Sequence, residues 1–532
     1  MKSKTQETVV KPANLTPPRV NWLMASYLLV AGSFGVIFFW LSTYWGIGVT
    51  VDPAIYLCVA RNLLMGKGLT IGGQPLLQFP PLYPVTLAAA GWISRSDPSS
   101  AARWLHALLF VCNVTGATLL AYRLTEQSKL AAVSVSLLLL WSNVFFSQHI
   151  VALSEPLFFF WQLQICLALW RYFNSSQRRW LLLCGLCAGA GALTRYVGVI
   201  LFPAIAFVVF LWPAQSCRKR LQAALWVVIP ALLPPLALFL RNYLRDGQAT
   251  STTWAYHPIP GAKIWDGISA AGYFLLPLSV SAPVWLAVLV AMVGLLGFAY
   301  IACLRHYLRQ TEAVMPSFKL QTFIVLWSLS YLVMLAVSLS LYNADTPLDH
   351  RILTPLYFVW VIAGISLARG YVRLSGRQGL WRVVLLWSLL LAGLNLRILT
   401  KAVAHYRCDG IGVAVGYTNR AWRSSGIISY LRALPAQTPI YSNAPDAIEF
   451  ILGRDTKSFP KQIDPGNLQP VADYLQQEQQ MKADVAARQG VIVYFDKFKF
   501  REAYLANIEE IKQRQNLRLL HLEDDGAIYI AP

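Results

Sequence analysis

At 532 residues, 56% hydrophobic and only 13% charged, the chain is too apolar for a soluble core or a disordered segment to account for, and an integral membrane protein is implied. The formal charge of +20 resides almost wholly before residue 401, where 29 Lys/Arg stand against 10 Asp/Glu; that basicity has a topological cause and calls for no nucleic acid. Eight cysteines, six of them in or beside apolar runs, make no disulfide framework.

The first 20 residues are too polar for a signal peptide and read as a cytoplasmic tail. Apolar runs follow near 22–45, 100–122, 128–147, 154–173, 180–212, 221–240, 281–304, 320–341, 352–368 and 380–399. Each approaches the roughly 20 residues that cross about 30 Å of hydrocarbon. The run 180–212 is too long for one straight crossing and carries Arg195 in its middle, so it reads as two short spans turning near Thr194, which makes about eleven in all. With a cytoplasmic N-terminus the inner segments collect 19 Lys/Arg and the outer connections 9, and a single span over 180–212 would invert every later loop. Part of the inner charge also suits anionic lipid. An odd number of crossings puts the chain after residue 400 outside. Sequons at Asn14, Asn113 and Asn174 all fall in cytoplasmic or buried stretches, which fits a bacterial inner (plasma) membrane better than one facing the ER lumen.

Seven of the ten acids before residue 401 fall on the outer face, among them Asp52 in the first external loop, residues 46–84. Asp52-Pro53 reads as the cap and first position of a short surface helix over 53–65 with Gly66 as its stop, and a carboxylate there could also serve as a general base. The two roles are compatible, because a helix N-terminus stabilises the ionised form. LYPVTLAAAGWI, residues 82–93, is too short to span and reads as juxtamembrane. Glu155, in HIVALSEPLFFFW, opens the fourth span from outside with His149 upstream; it reads as a dipole-stabilised first-turn acid or as a second carboxylate of the same vestibule.

Cys184 and Cys187 form a C-x-x-C inside LLLCGLCAGAGAL, where small residues point to close helix packing in preference to metal or redox chemistry. Arg195, in GALTRYVGV, is enclosed by apolar sequence and needs a partner such as Glu155, a backbone carbonyl or a phosphate. The second outer connection, from Arg241 to about Ser281, is rich in aromatics; Arg241, Tyr256 and His257, with Tyr83 of the first loop, are candidates for an acceptor or sugar vestibule, and an interfacial belt is the plainer reading. Arg351, beside Asp349 and His350 in LDHRILTPLY, offers a planar fork suited to phosphate oxygens, or merely snorkels at a span end.

From residue 401 the pattern becomes that of a small α/β domain. TPIYSN, GVIVYFD, LRLLHLE and GAIYIA read as strands, and 424–433, 444–452, 469–486 and 502–515 as helices. The turn after TPIYSN carries Ala-Pro-Asp in place of a phosphate cradle, so capping or acceptor recognition is expected of this part.

The order of spans, the Asp52 loop with its PPLYP exit, the SEP at Ser154–Pro156, the TR at Thr194–Arg195 and the HRILTPLY from His350 resemble the GT-C superfamily of membrane glycosyltransferases, especially bacterial relatives of protein O-mannosyltransferases and of the lipid A aminoarabinose transferase. The resemblance covers residues 20–400 and rests on the order and spacing of short motifs. It implies a polyprenyl-phosphate sugar donor, a glycan, lipid or protein acceptor, and inverting transfer at the outer face. Asp52 would be the base or orient the acceptor, with Glu155 as the second carboxylate, since Pro53 stands where many relatives carry a second acid. Arg195 and Arg351, with His350, would hold the departing lipid phosphate. No cofactor is dictated: a divalent metal could share that charge neutralisation, and Asp52, Glu155, Asp349 and His350 offer ligands without a spacing that fixes a site. A lipid or lipid-linked sugar flippase would also carry many spans and buried charge, but no internal repeat or pair of matching broken spans is present. The expected organisation is a tail over 1–20, a catalytic membrane domain over 21–400 and an extracytoplasmic α/β domain over 401–532.

Overall fold

The computed structural model describes residues 22–211, 216–250, 254–309, 315–412, 416–487 and 489–532; the cytoplasmic tail expected over 1–20 lies outside them. The chain is mostly helical. After α1 (Trp22–Ser42) it turns at Gly46, φ +106°, and enters α2 (Val51–Leu64). Here the structure corrects the sequence: Thr50 is the N-cap and Asp52 lies in the first turn, so its carboxylate is not spent on capping. Gly66, at φ +75°, follows the end of α2 as expected, and an antiparallel hairpin of β1 (Thr70–Ile71) and β2 (Gln74–Pro75) turns on Gly72 and Gly73, both at positive φ. Helix α3 (Leu82–Ser94) is formed by the short apolar run read above as juxtamembrane.

Helix α4 (Pro98–Leu124) starts on an Asp97 cap with proline in its first turn. The expected span 128–147 is broken: α5 (Lys129–Leu140) and α6 (Asn143–Ile150) meet at 57°, because Ser142 accepts from Phe145 N and caps a new helix there. Then come α7 (Glu155–Ser175) and α8 (Arg178–Thr194), a 3₁₀ turn over Tyr196–Ile200, and α9 (Leu201–Leu211). Arg195 itself is extended, φ −147°, so the chain breaks beside Thr194. Gly198 makes that break compact: a Cβ on it would lie 2.6 Å from backbone atoms of Gly191 and Ala192. Gly189 of α8 packs where a Cβ would come within 3.1 Å of a carbonyl of α10 (Cys217–Asp246), and Cys184 and Cys187 are both buried in the same helix, consistent with close packing in this stretch.

The remaining helices of this part are α11 (Gly261–Leu275), α12 (Ala282–Arg309), α13 (Pro316–Leu341), α14 (His350–Ser375) and α15 (Gln378–Asp409). Among the described residues seven helices are long and apolar enough to cross a membrane, or eight with the bent pair. The other runs expected to cross form α7, α8 and α9, each shorter or less apolar than that measure.

The C-terminal stretch carries α16 (Arg420–Arg423), α17 (Gly426–Ala433), β3 (Ile440–Ser442), α18 (Pro445–Leu452), β4 (Lys457–Ser458), α19 (Tyr474–Ala487), β5 (Val491–Phe495), a 3₁₀ segment over Asp496–Ala503, α20 (Ile508–Gln515), β6 (Arg518–Glu523) and β7 (Gly526–Ile530). The expected helix over 502–515 is thus two pieces, separated where Asn507 caps α20. The strands form one mixed sheet in the order β4-β3-β5-β7-β6, with β3 parallel to β4 and β5 and the rest antiparallel. This stretch docks on the loop over residues 46–84. Tyr417 N donates to Val49 O at 2.7 Å, Arg61 Nη1 to Phe450 O at 2.7 Å and Gly72 N to Glu449 Oε1 at 3.2 Å.

Candidate active site

Two local devices bring the first loop to α7. Gly48 N donates to Ile150 O at 2.8 Å and Ala152 N to Gly48 O at 2.9 Å, so the strand-like entry to α2 is stitched to the residues just before Glu155. Gly48 is needed for that approach, because a Cβ there would meet the Ile411 side chain at 2.7 Å. The break at Thr194 then delivers Arg195 from one side. From the other, Asp349 accepts from Ile352 N at 3.2 Å and starts α14, and Tyr331 Oη donates to Ile352 O at 2.6 Å, fixing the turn that presents Arg351.

The result is a four-residue chain of charge. Arg351 Nη1 donates to Asp52 Oδ2 at 2.7 Å and its Nε lies 3.4 Å from Glu155 Oε1; Arg195 Nη1 lies 2.6 Å from the same Glu155 oxygen and donates to Ser154 Oγ at 3.2 Å. The two carboxylates differ sharply in exposure. The Glu155 side chain is 1% exposed, Asp52 25% and Arg351 28%. Glu155 is therefore the enclosed counter-ion of both guanidiniums, and Asp52 is the carboxylate within reach of a molecule arriving from outside. The buried Nε of Arg195 and of Arg351 have no aligned acceptor, so both cations keep unspent donors in the site.

Tyr56, one turn beyond Asp52 on α2, was not singled out from the sequence. It is buried against Phe79 and Tyr83, with ring centroids 4.9 and 5.1 Å away. Burial, reinforced by the Asp52 and Glu155 carboxylates, pushes its phenol above the ordinary tyrosine range, so it stands here as a neutral group. Its i, i+4 spacing from Asp52 was the available signal.

The other expected site residues are not gathered at this cluster. Tyr83 is fully buried and its hydroxyl lies 2.7 Å from His106 Nε2, inside the packing of α3 against α4. His149, expected to share the vestibule with Glu155, is enclosed by Phe110, Phe145 and Phe159 and lies 3.2 Å from Asn113. Arg241 Nη1 donates to its neighbour Asn242. Tyr256 is 76% exposed, and His257 is buried beside the end of α13 with its backbone N–H on Ser340 O. The His350 ring is edge-on to Tyr273 and Phe274, which turns it toward α11. Aromatic-rich interface sequence gives no directional signal, and these placements follow from packing between distant helices. Asp349 caps α14, Asp52 and Glu155 pair with arginines, and no three His, Cys, Asp or Glu side chains gather among the described residues.

Residues 64–236 match the family model described as PMT, dolichyl-phosphate-mannose-protein mannosyltransferase. No curated protein matches the chain. Among solved structures it is similar to ArnT from Cupriavidus metallidurans in the apo state, with 13% identity over 95% of this chain and 98% of that one and a TM-score of 0.51. It is also similar to the oligosaccharyltransferase AglB from Archaeoglobus fulgidus in complex with an inhibitory peptide and a dolichol-phosphate, with 12% identity over 96% of this chain and 74% of that one and a TM-score of 0.55. At such identities the likeness is one of fold. In that fold, and in the stretch matched by the family model, the chain resembles the GT-C membrane glycosyltransferases.

Proposed function

We propose that this protein transfers a sugar from a polyprenyl-phosphate carrier to a glycan, lipid or protein acceptor at the outer face of a bacterial inner membrane, with inversion. Eleven crossings, the bent pair counted as one, put the N-terminus inside, the Asp52 cluster outside and residues 401–532 outside as an α/β domain over the catalytic part, residues 21–400. The observation that carries this reading is the convergence of Asp52, Glu155, Arg195 and Arg351 in one charge chain. The dolichol-phosphate in the AglB complex supports a lipid-phosphate leaving group on the same fold.

The chemistry follows from the charges. A lipid phosphate is already a stable anion, so departure needs cations more than it needs an acid, and Arg195 and Arg351 supply them together with N–H donors not yet engaged. When the phosphate takes Arg351, Asp52 is released to accept the proton of the acceptor hydroxyl or amine as the new bond to the anomeric carbon forms. Glu155, shielded from solvent, keeps the two guanidiniums at a fixed spacing throughout.

The test is turnover of a synthetic polyprenyl-phosphate sugar by the purified protein, followed as released polyprenyl phosphate. Asp52→Asn should retain folding and lower release by about 10²–10⁴-fold, the usual worth of a general base. Release within tenfold of wild type would remove Asp52 as base, and no release by wild type with any such donor would remove the reading itself.

A further inference from the structure

The opposite end of α14 carries a second charged site. Arg369 lies eighteen residues beyond Arg351, about 27 Å along the helix axis, which is close to the thickness of a hydrocarbon core. There the ends of α4 and α12, the start of α13 and the last turns of α14 enclose a cavity of about 360 Å³. Its floor is built: Gln321 and Ser366 are both buried and Gln321 Nε2 donates to Ser366 Oγ at 3.1 Å. Arg373 is paired with Glu126, whereas the Nε of Arg369, which also lines the cavity, is buried with no hydrogen-bond partner. His306 forms the wall shared with a groove of about 590 Å³ on the outer side of α12, lined by Arg305, Arg309, Phe298 and Ile301.

The groove has two chemistries in one line. Arg305 and Arg309 mark its charged end, and Phe298 and Ile301, 61% and 48% exposed, lie up to 11 residues away toward the middle of α12, about 17 Å along the axis. Among the described lining residues of the two sites, four arginines stand against the one carboxylate of Glu126, which leaves that lining with net positive charge. We infer that this is a binding site for an anionic glycerophospholipid of the leaflet opposite the Asp52 cluster. Its phosphodiester sits between Arg305, His306 and Arg369, and one acyl chain runs along Phe298 and Ile301. Basic pockets between transmembrane helices are a recurrent way of holding such head groups, and here the apolar groove leading from the cations selects a lipid over a free anion.

The experiment is native mass spectrometry of the full-length protein in detergent, with phosphatidylglycerol, phosphatidylcholine or inorganic phosphate added. Phosphatidylglycerol should remain bound after detergent removal, phosphatidylcholine should not, and inorganic phosphate should not compete. Arg305→Gln, a surface change on α12, should weaken retention about fivefold, near the usual effect of one basic residue at a membrane surface, and Arg305→Gln with Arg369→Gln by more. Arg218→Gln, on the same side but outside the site, should leave it unchanged. Equal loss in the Arg218 variant would reduce the effect to diffuse surface charge, competition by phosphate would make it a free-anion site, and equal retention of phosphatidylcholine would leave no role for the arginines; each overturns the inference.

Discussion

Glu155 and Asp52 carry the same charge in one cluster, yet their removal should have opposite signatures. Glu155→Gln leaves Arg195 and Arg351 without their shared counter-ion in a place where the lost carboxylate was 1% exposed. Removing one partner of a buried pair costs about 3–5 kcal/mol, because the surviving charge stays desolvated; the amide oxygen of glutamine still accepts a bond, which moves the expectation to the lower end, about 3 kcal/mol. Asp52→Asn, at a pair about a quarter exposed on each side, should cost no more than about 1 kcal/mol of stability while lowering turnover by about 10²–10⁴-fold. Equilibrium unfolding in mixed micelles reads both. Adding Arg195→Gln to Glu155→Gln should return part of the loss, since the stranded cation is gone, with a coupling of about 2 kcal/mol in the double-mutant cycle. If Glu155→Gln costs under about 1 kcal/mol, or the second change adds its full cost instead of recovering any, water already solvates the cluster, and the assignment of Glu155 as an enclosed counter-ion is wrong.

Arg351→Lys should lower kcat/KM for the lipid donor by about tenfold or more while preserving the charge, because the bidentate fork toward phosphate is lost; an unchanged value in steady-state assays would show that charge alone suffices. Gly198→Ala should disturb the break that delivers Arg195, since the added Cβ meets rigid backbone at 2.6 Å, and should reduce both thermal stability and turnover; an active, stable variant would separate the 3₁₀ turn from the site. Burial pushes the Glu449 carboxyl from 4.5 up to about 7, in spite of the bond it accepts from Gly72 N. Its folded value lies above its unfolded one, so the group's contribution to folding stability is greatest below pH 4.5 and is lost as pH rises through the interval to 7, after which the loss is constant. Glu449→Gln should therefore raise the melting midpoint at pH 8 relative to wild type and match it near pH 4; parallel pH profiles would exclude Glu449 as the titrating group.

What local sequence could reveal and what it could not divide along a physical line. Arg195 was legible because a cation in an apolar run cannot be left alone, and the structure supplies Glu155, one of the partners that argument allowed. The break beside Thr194 was legible from length and charge together. Strands β3, β5 and β7 show in their β-branched and aromatic residues and β6 in its leucines, whereas the two residues of β4 are held by parallel pairing to β3 and carry no period of their own. Thr50 displaced Asp52 as the cap because Asp-Pro satisfies the local rule equally well, and only the distant Arg351, 299 residues on, draws the carboxylate away. Tyr83 and His149 sit in a sequence context fit for a vestibule, but the side their rings take is decided by α4, which offers His106 to one and Asn113 to the other. Such pairings are written in packing between helices, where no window of neighbouring residues can hold them.

The C-terminal stretch shows no glycine-rich nucleotide cradle in its sequence, yet it bears directly on where Asp52 stands. Helix α2 has only fourteen residues, so its own backbone bonds cannot set its position against α7 and α14. It is pinned at one end by Tyr417 N on Val49 O, and at the other by Arg61, which donates to Phe450 O at 2.7 Å and to Asp97 Oδ2 at 2.8 Å. The hairpin beyond it is tied to Glu449. Reacting groups must be held to within about 0.5 Å for efficient transfer, and the Asp52–Arg351 pair, being partly exposed, supplies too little energy to enforce that alone. The docked sheet-and-helix stretch thus completes the geometry of the site from outside it: loosening its three contacts would let α2 drift, and the Asp52 carboxylate with it, while Glu155, Arg195 and Arg351 remained in place.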